Sequence, residues 1–147
     1  MRLSRYTHRF IESFPEPLEP GVLYVSIQFR TTAHLCFCGC GNEVYSPLSP
    51  SDWRMIFDGQ SVSLSPSIGN WSFLCQSHYV LRGGHVSWAE KWTRQRIQRN
   101  RAASNDMRSR TLSQYQNQAA ADESAKSEPN NARSGRIAKL IGAISRR

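Results

Sequence analysis

Residues 34–41 read "HLCFCGCG": three cysteines in five positions, Cys36, Cys38 and Cys40, each one residue from the next. The chain has one more, Cys75, in "CQSH" (75–78). Alternate residues of an extended strand point to one face, so this spacing predicts three sulfurs gathered on one side of the chain. "CGC" and "CQSH" together supply three thiolates and an imidazole, a donor set that suits tetrahedral Zn²⁺. The candidate ligands are Cys36, Cys38, Cys40, Cys75 and His78. Four suffice, which leaves Cys36 as the spare or as a replacement for Cys38. Cu(I) also accepts thiolates but seldom needs the histidine. The plain alternative is that these are small cysteines filling a core; three within five residues beside a C-x-x-H favour a metal. His34 and His85 are each a further candidate ligand, but read more simply as solvated strand histidines.

Charge divides the 147 residues. Met1 to Glu90 holds 6 Lys and Arg against 7 Asp and Glu, whereas Lys91 to Arg147 holds 13 against 4, so the net +8 belongs to the C-terminal part. All four cysteines, all four histidines and six of the seven prolines precede Lys91. A core of that size is modest and gains from a metal or disulfide. The N-terminus has no continuous apolar run and no stretch is long enough to span a bilayer, which predicts a cytoplasmic protein with reduced thiols.

"GVLYVSIQF" (21–29) is β-branched and aromatic and follows a proline-rich approach, so it predicts a strand. Ser51 or Asp52 is placed to cap a short helical turn containing Trp53, Met55 and Ile56. Asp58-Gly59 leads into the alternating "SVSLS", and Gly83-Gly84 joins two strands of a hairpin. The fold expected is mainly β, a small α+β class: a zinc-stabilised, loop-rich single domain over 1–92, then a flexible basic tail over 93–147. The stretch 91–103 can continue as a basic helix. "RIAKLIGAISRR" (136–147) spaces its aliphatic residues as a short amphipathic helix does.

The motifs "CGCG", "PLSPSDW", "SLSPSIGNW" and "C-x-SHY", within residues 8–92, resemble a bacterial family of small cysteine-rich proteins catalogued as a domain of unknown function. One departure is Val80-Leu81, where the family tends to carry an aromatic-isoleucine pair. The resemblance implies a predicted metal-binding protein encoded beside ubiquitin-like proteins and their E1-like and E2-like enzymes. Those proteins are the partners it implies.

Three functions follow as expectations. The first is a zinc-stabilised protein-binding module, accessory to a bacterial ubiquitin-like modification system, because a four-ligand zinc shell is coordinatively full. The second is a peptidase that processes a ubiquitin-like protein, with Ser67 or Ser77 as nucleophile, or Cys36 or Cys75 paired with His78 or His85. No recognised catalytic motif, neither G-x-S-x-G nor H-E-x-x-H, supports it, and serines in such segments are ordinarily turn and strand residues. The third is nucleic-acid binding through the basic segment 91–110, which lacks an aromatic platform beyond Trp92 and reads more simply as a solvated tail.

Overall fold

The computed structural model describes residues 1–127. Eight strands and one helix follow in order: β1 (Thr7–Phe10), β2 (Val22–Ser26), β3 (Thr31–Leu35), β4 (Glu43–Pro47), β5 (Arg54–Phe57), β6 (Val62–Gly69), β7 (His78–Arg82), β8 (His85–Trp88) and α1 (Arg94–Ser127). The strands form two four-stranded sheets, each in chain order, β1-β2-β3-β4 and β5-β6-β7-β8. Only β1 and β2 pair in parallel. The result is mostly β with one C-terminal helix, the small α+β class expected.

The main core lies between the sheets. Leu23 and Val25 of β2, Val62, Leu64 and Ile68 of β6, and Tyr79 and Leu81 of β7 are buried together with Tyr6, Cys36 and Phe37. The Tyr6 hydroxyl donates to the Val62 carbonyl and ties the N-terminal segment to the second sheet. Val22 and Tyr24 point to the opposite face of β2 and meet Leu18 and Ala33, so β2 is buried on both faces. That explains why "VLYVS" reads as a continuous apolar run and not as an alternation.

The hairpin expected at Gly83-Gly84 forms, and the Asp58-Gly59 turn joins a second one, β5 to β6. Gly59 takes a φ of +95° while the Asp58 carboxylate accepts from the Gln60 and Ser61 N–H groups. Gly83 and Gly84, at +55° and +74°, give the twist that suits a two-residue hairpin. The helical turn expected after Asp52 does not form: Arg54–Phe57 is strand β5, paired with β6. One isolated helical turn fixes several dihedrals for a single hydrogen bond, and a ladder along β6 satisfies more backbone groups.

The compact unit that contains both sheets runs past Trp92 to Ser113; the second unit is Gln114–Arg147. The basic segment is the helix α1, capped by the Thr93 hydroxyl, which accepts from the Arg96 N–H at 3.3 Å. Its Arg, Gln, Ala and Met content favours a helix although it has no apolar face. The amphipathic stretch expected at 136–147 lies outside the described residues. Among the described residues, no helix is long and apolar enough to cross a membrane.

Candidate active site

The cysteine segment is a turn and not a strand. β3 ends at Leu35; the Gly39 N–H then donates to the Cys36 carbonyl at 2.9 Å, and Gly39 and Gly41 adopt φ of +83° and +79°. Glycine is needed at 39, where a Cβ would lie 3.0 Å from the Met1 backbone. This tight path curls Cys36, Cys38 and Cys40 around one point, and the 70–77 loop brings Cys75 to it. The four sulfurs lie within 4.8 Å of one another, with Cys36–Cys38 at 3.3 Å and Cys40–Cys75 at 3.7 Å.

A tetrahedral ion with bonds of about 2.3 Å holds its sulfurs about 3.8 Å apart, so these four can close on one ion. The electrostatics agree. Burial pushes the Cys36 thiol up, against hydrogen bonds from Ser77 and Cys38, and burial together with Cys36 and Cys40 pushes Cys38 up. Burial also opposes a thiolate at Cys40, but the Asn42 N–H and the neighbouring thiols outweigh it and bring Cys40 down to about 7. Without a cation, four such groups cannot all ionise together.

His78, expected among the ligands, does not join them. It is the first residue of β7, and the strand alternation that turns Tyr79 into the core turns His78 to the other face. There its Nε2 lies 3.0 Å from the Ser67 hydroxyl and its Nδ1 lies 2.7 Å from the Glu90 carbonyl. A carbonyl only accepts, so Nδ1 carries the proton and Nε2 presents its lone pair to the Ser67 O–H. Hydroxyl, imidazole and orienting acceptor are therefore in line.

The strands account for this pair. Gly69 is directly opposite His78, and Ser67 is two residues before it on the same face, a diagonal neighbour across the ladder. Between Leu64 and Ile68 the register shifts, and β6 bulges at Ser65, Pro66 and Ser67. A bulge re-aims side chains and is common beside active sites. Gly69 also makes room for the Trp71 indole, whose Nε1 would lie 2.3 Å from a Cβ at that position. Trp71 and Trp92 stack at 5.3 Å, each about 5 Å from the His78 ring. Ser67 and His78 open onto a cavity of about 290 Å³, which Trp53, Trp71 and Trp92 share with residues of α1.

The other candidates fall elsewhere. Ser77 is buried, with Cys36 at 3.1 Å and Asn70 at 2.8 Å, and among the described residues no histidine ring bonds its hydroxyl. Cys36 and Cys75 both belong to the thiol cluster and neither pairs with His78. His85 bonds the Gly83 carbonyl at the exposed hairpin. His34 is not a solvated strand residue: it is fully buried, stacked on Phe37 at 4.6 Å and 2.9 Å from the Tyr79 hydroxyl. Glu90 was absent from the sequence reading because it acts through its backbone, which no side-chain pattern records.

The family model described as BubE, bacterial ubiquitination-like system serine protease, matches residues 10–89, more than half of the chain. The link to ubiquitin-like systems is thereby met, and the expectation of a family without known function is corrected. No curated protein and no solved structure matches the chain.

Proposed function

Because the chain belongs to the BubE family, we propose that it is a serine peptidase of a bacterial ubiquitination-like system, with Ser67 as nucleophile and His78 as general base. The observation that carries this is the 3.0 Å contact between Ser67 Oγ and His78 Nε2, with Nδ1 held by the Glu90 carbonyl.

In the first half-reaction Ser67 Oγ bonds to the substrate carbonyl carbon and its proton passes to His78 Nε2. The C–N bond then breaks, the leaving amine takes that proton, and an ester to Ser67 remains. In the second half, water adds to the ester carbon and gives a proton to Nε2. The Oγ–C bond breaks, Oγ recovers that proton, and the product leaves as a carboxylic acid that gives up its remaining proton to solvent. The proton on Nδ1 stays there throughout, donated in a hydrogen bond to the Glu90 carbonyl. That neutral acceptor fixes the tautomer, as the aspartate of a triad does, without supplying a negative charge.

Cys36, Cys38, Cys40 and Cys75 would hold one Zn²⁺, a full shell whose chemistry is structural. Its contribution is to brace the loop between β6 and β7. Ser77 contacts Cys36 and Asn70, the Asn70 N–H donates to the Ser77 carbonyl at 2.9 Å, and the next residue is His78. The substrates that fit are a precursor of a ubiquitin-like protein or a conjugate of one. The test is incubation of either with the full chain. Cleavage that Ser67→Ala and His78→Ala abolish, with metal retained, is expected; cleavage surviving Ser67→Ala refutes the assignment.

A further inference from the structure

One wall of the cavity beside Ser67 is the helix α1. Asn100, Arg101, Ser104, Asn105 and Arg108 line it, and spacings of one, three and four residues place them on one arc of the helix. The cavity holds a single carboxylate, that of Asp52, and it is fully engaged. Asp52 Oδ1 accepts from Arg108 Nε at 2.7 Å and Oδ2 from the Ser49 hydroxyl at 2.7 Å. The Arg101 side chain is exposed and has no hydrogen bond or ion pair among the described residues. Trp53, Trp71 and Trp92 line the same cavity. An unpaired cation therefore borders a cavity in which the only acidic group is already taken. The three indoles lower the screening on the cavity side of that charge.

We propose that this cavity is a carboxylate-recognition subsite, in which Arg101 binds an acidic group of the substrate chain beside the Ser67 hydroxyl. This rests on the peptidase reading and gives it a substrate class: chains that carry a carboxylate, from their terminus or from an Asp or Glu side chain, close to the bond attacked. Arg101 is a specificity determinant and takes no part in proton transfer. Arg108 is held back by Asp52, which leaves Arg101 as the cation that discriminates.

The test uses the full chain with Ser67→Ala, which cannot turn over, and three probe peptides. These are acetylated pentaalanine with a free C-terminal carboxylate, its C-terminal amide, and the amide with one alanine replaced by glutamate. Calorimetry is expected to give at least one acidic peptide a Kd about tenfold below that of the amide, weakening as salt is added. Whichever acid binds identifies the source of the carboxylate. Adding Arg101→Ala should bring acid and amide to parity, and Arg101→Lys should recover part of the difference. Equal binding of all three, no detectable binding of any, or a preference that survives Arg101→Ala overturns the proposal. Labelling of Ser67 in the unsubstituted chain by a fluorophosphonate is scored separately. Labelled Ser67 without carboxylate preference refutes the subsite alone; a preference without labelling refutes the peptidase reading alone.

Discussion

Two clusters lie at opposite ends of one three-residue step, Cys75 to His78, and they are held by different means. The thiol cluster is built from turns: Gly39 and Gly41 curl the 36–40 segment, and Gln76, with a φ of +44°, bends the chain between Cys75 and β7. Its four donors are alike, and an ion accepts them in any order. The Ser67–His78 pair is built on paired strands, with Gly69 opposite His78 and the bulge in β6 setting Ser67 on the diagonal. Its donors are unlike and directional, so a slip of one residue would turn either side chain to the wrong face. A metal cluster can tolerate irregular backbone because the ion itself closes it. A hydroxyl–imidazole pair needs a frame that is already closed, and here the cluster supplies one end of that frame through Ser77.

This contrast breaks first, and by the largest amount, on metal removal. One zinc per chain is expected, and chelation should cost most of an apparent binding energy of about 10 kcal/mol, unfolding the two-sheet unit and abolishing activity together. Metal analysis beside a thermal melt checks it. Each single cysteine-to-alanine change should be similarly damaging, Cys36→Ala included, since all four thiols converge. An unchanged cooperative melt in metal-free protein would refute the cluster's role.

Next in size is the separation of chemistry from metal. Ser67→Ala and His78→Ala should each lower kcat/KM by about 10⁴, roughly 5 kcal/mol of transition-state stabilisation, while zinc content stays at the unsubstituted level. Loss of zinc from His78→Ala would return the histidine to the metal and dissolve the contrast. Ser77→Ala should do the reverse and lower stability by about 1–3 kcal/mol, because it removes the buried hydroxyl that Asn70 donates to and that Cys36 contacts.

Gly69→Ala comes third. The new methyl would occupy the place of the Trp71 indole, so the cost expected is about 1–3 kcal/mol of stability with a shift in tryptophan fluorescence. Full activity with an unshifted spectrum would show that Trp71 has somewhere else to go.

The smallest effect concerns Asp52. Burial works against its ionisation, but Ser49 and Arg108 prevail and hold the carboxyl below its ordinary value. A depressed carboxyl contributes stability above its unfolded pKa and loses it as pH falls through the folded one, so anchoring of α1 should weaken only in that acid range. Asp52→Asn should raise amide exchange over 94–113 at neutral pH and cost less than about 1 kcal/mol, because Arg108 is partly exposed. An effect several times larger would mean that the helix is held by this pair almost alone.

Much of the frame was legible in the chain itself. Asp58-Gly59 marks a turn and Gly83-Gly84 a hairpin because glycine supplies positive φ, and the β-branched and aromatic "GVLYVSIQF" marks a strand. The crowding of Cys36, Cys38 and Cys40 marks a shared site. Strands β1, β3 and β4 were missed, since their burial is set by neighbours distant in sequence and not by local composition. Ser67 was weighed and set behind turn chemistry because a serine carries no catalytic mark until a base stands beside it.

By itself, then, the sequence determined which residues had to be gathered: thiols are scarce in this chain, and three of four fall within five positions. It also determined that the domain would be β-rich and that the positive charge would collect after Lys91. Only the tertiary structure decided which partners meet. The αL turn at Gln76 and the alternation of β7 send Cys75 to three distant thiols and His78 to a serine eleven residues upstream. The Glu90 carbonyl that orients the imidazole is a backbone group every residue possesses. Its role arises from where the chain runs after β8, and distances of that kind are fixed by packing and register, not by the identity of any side chain.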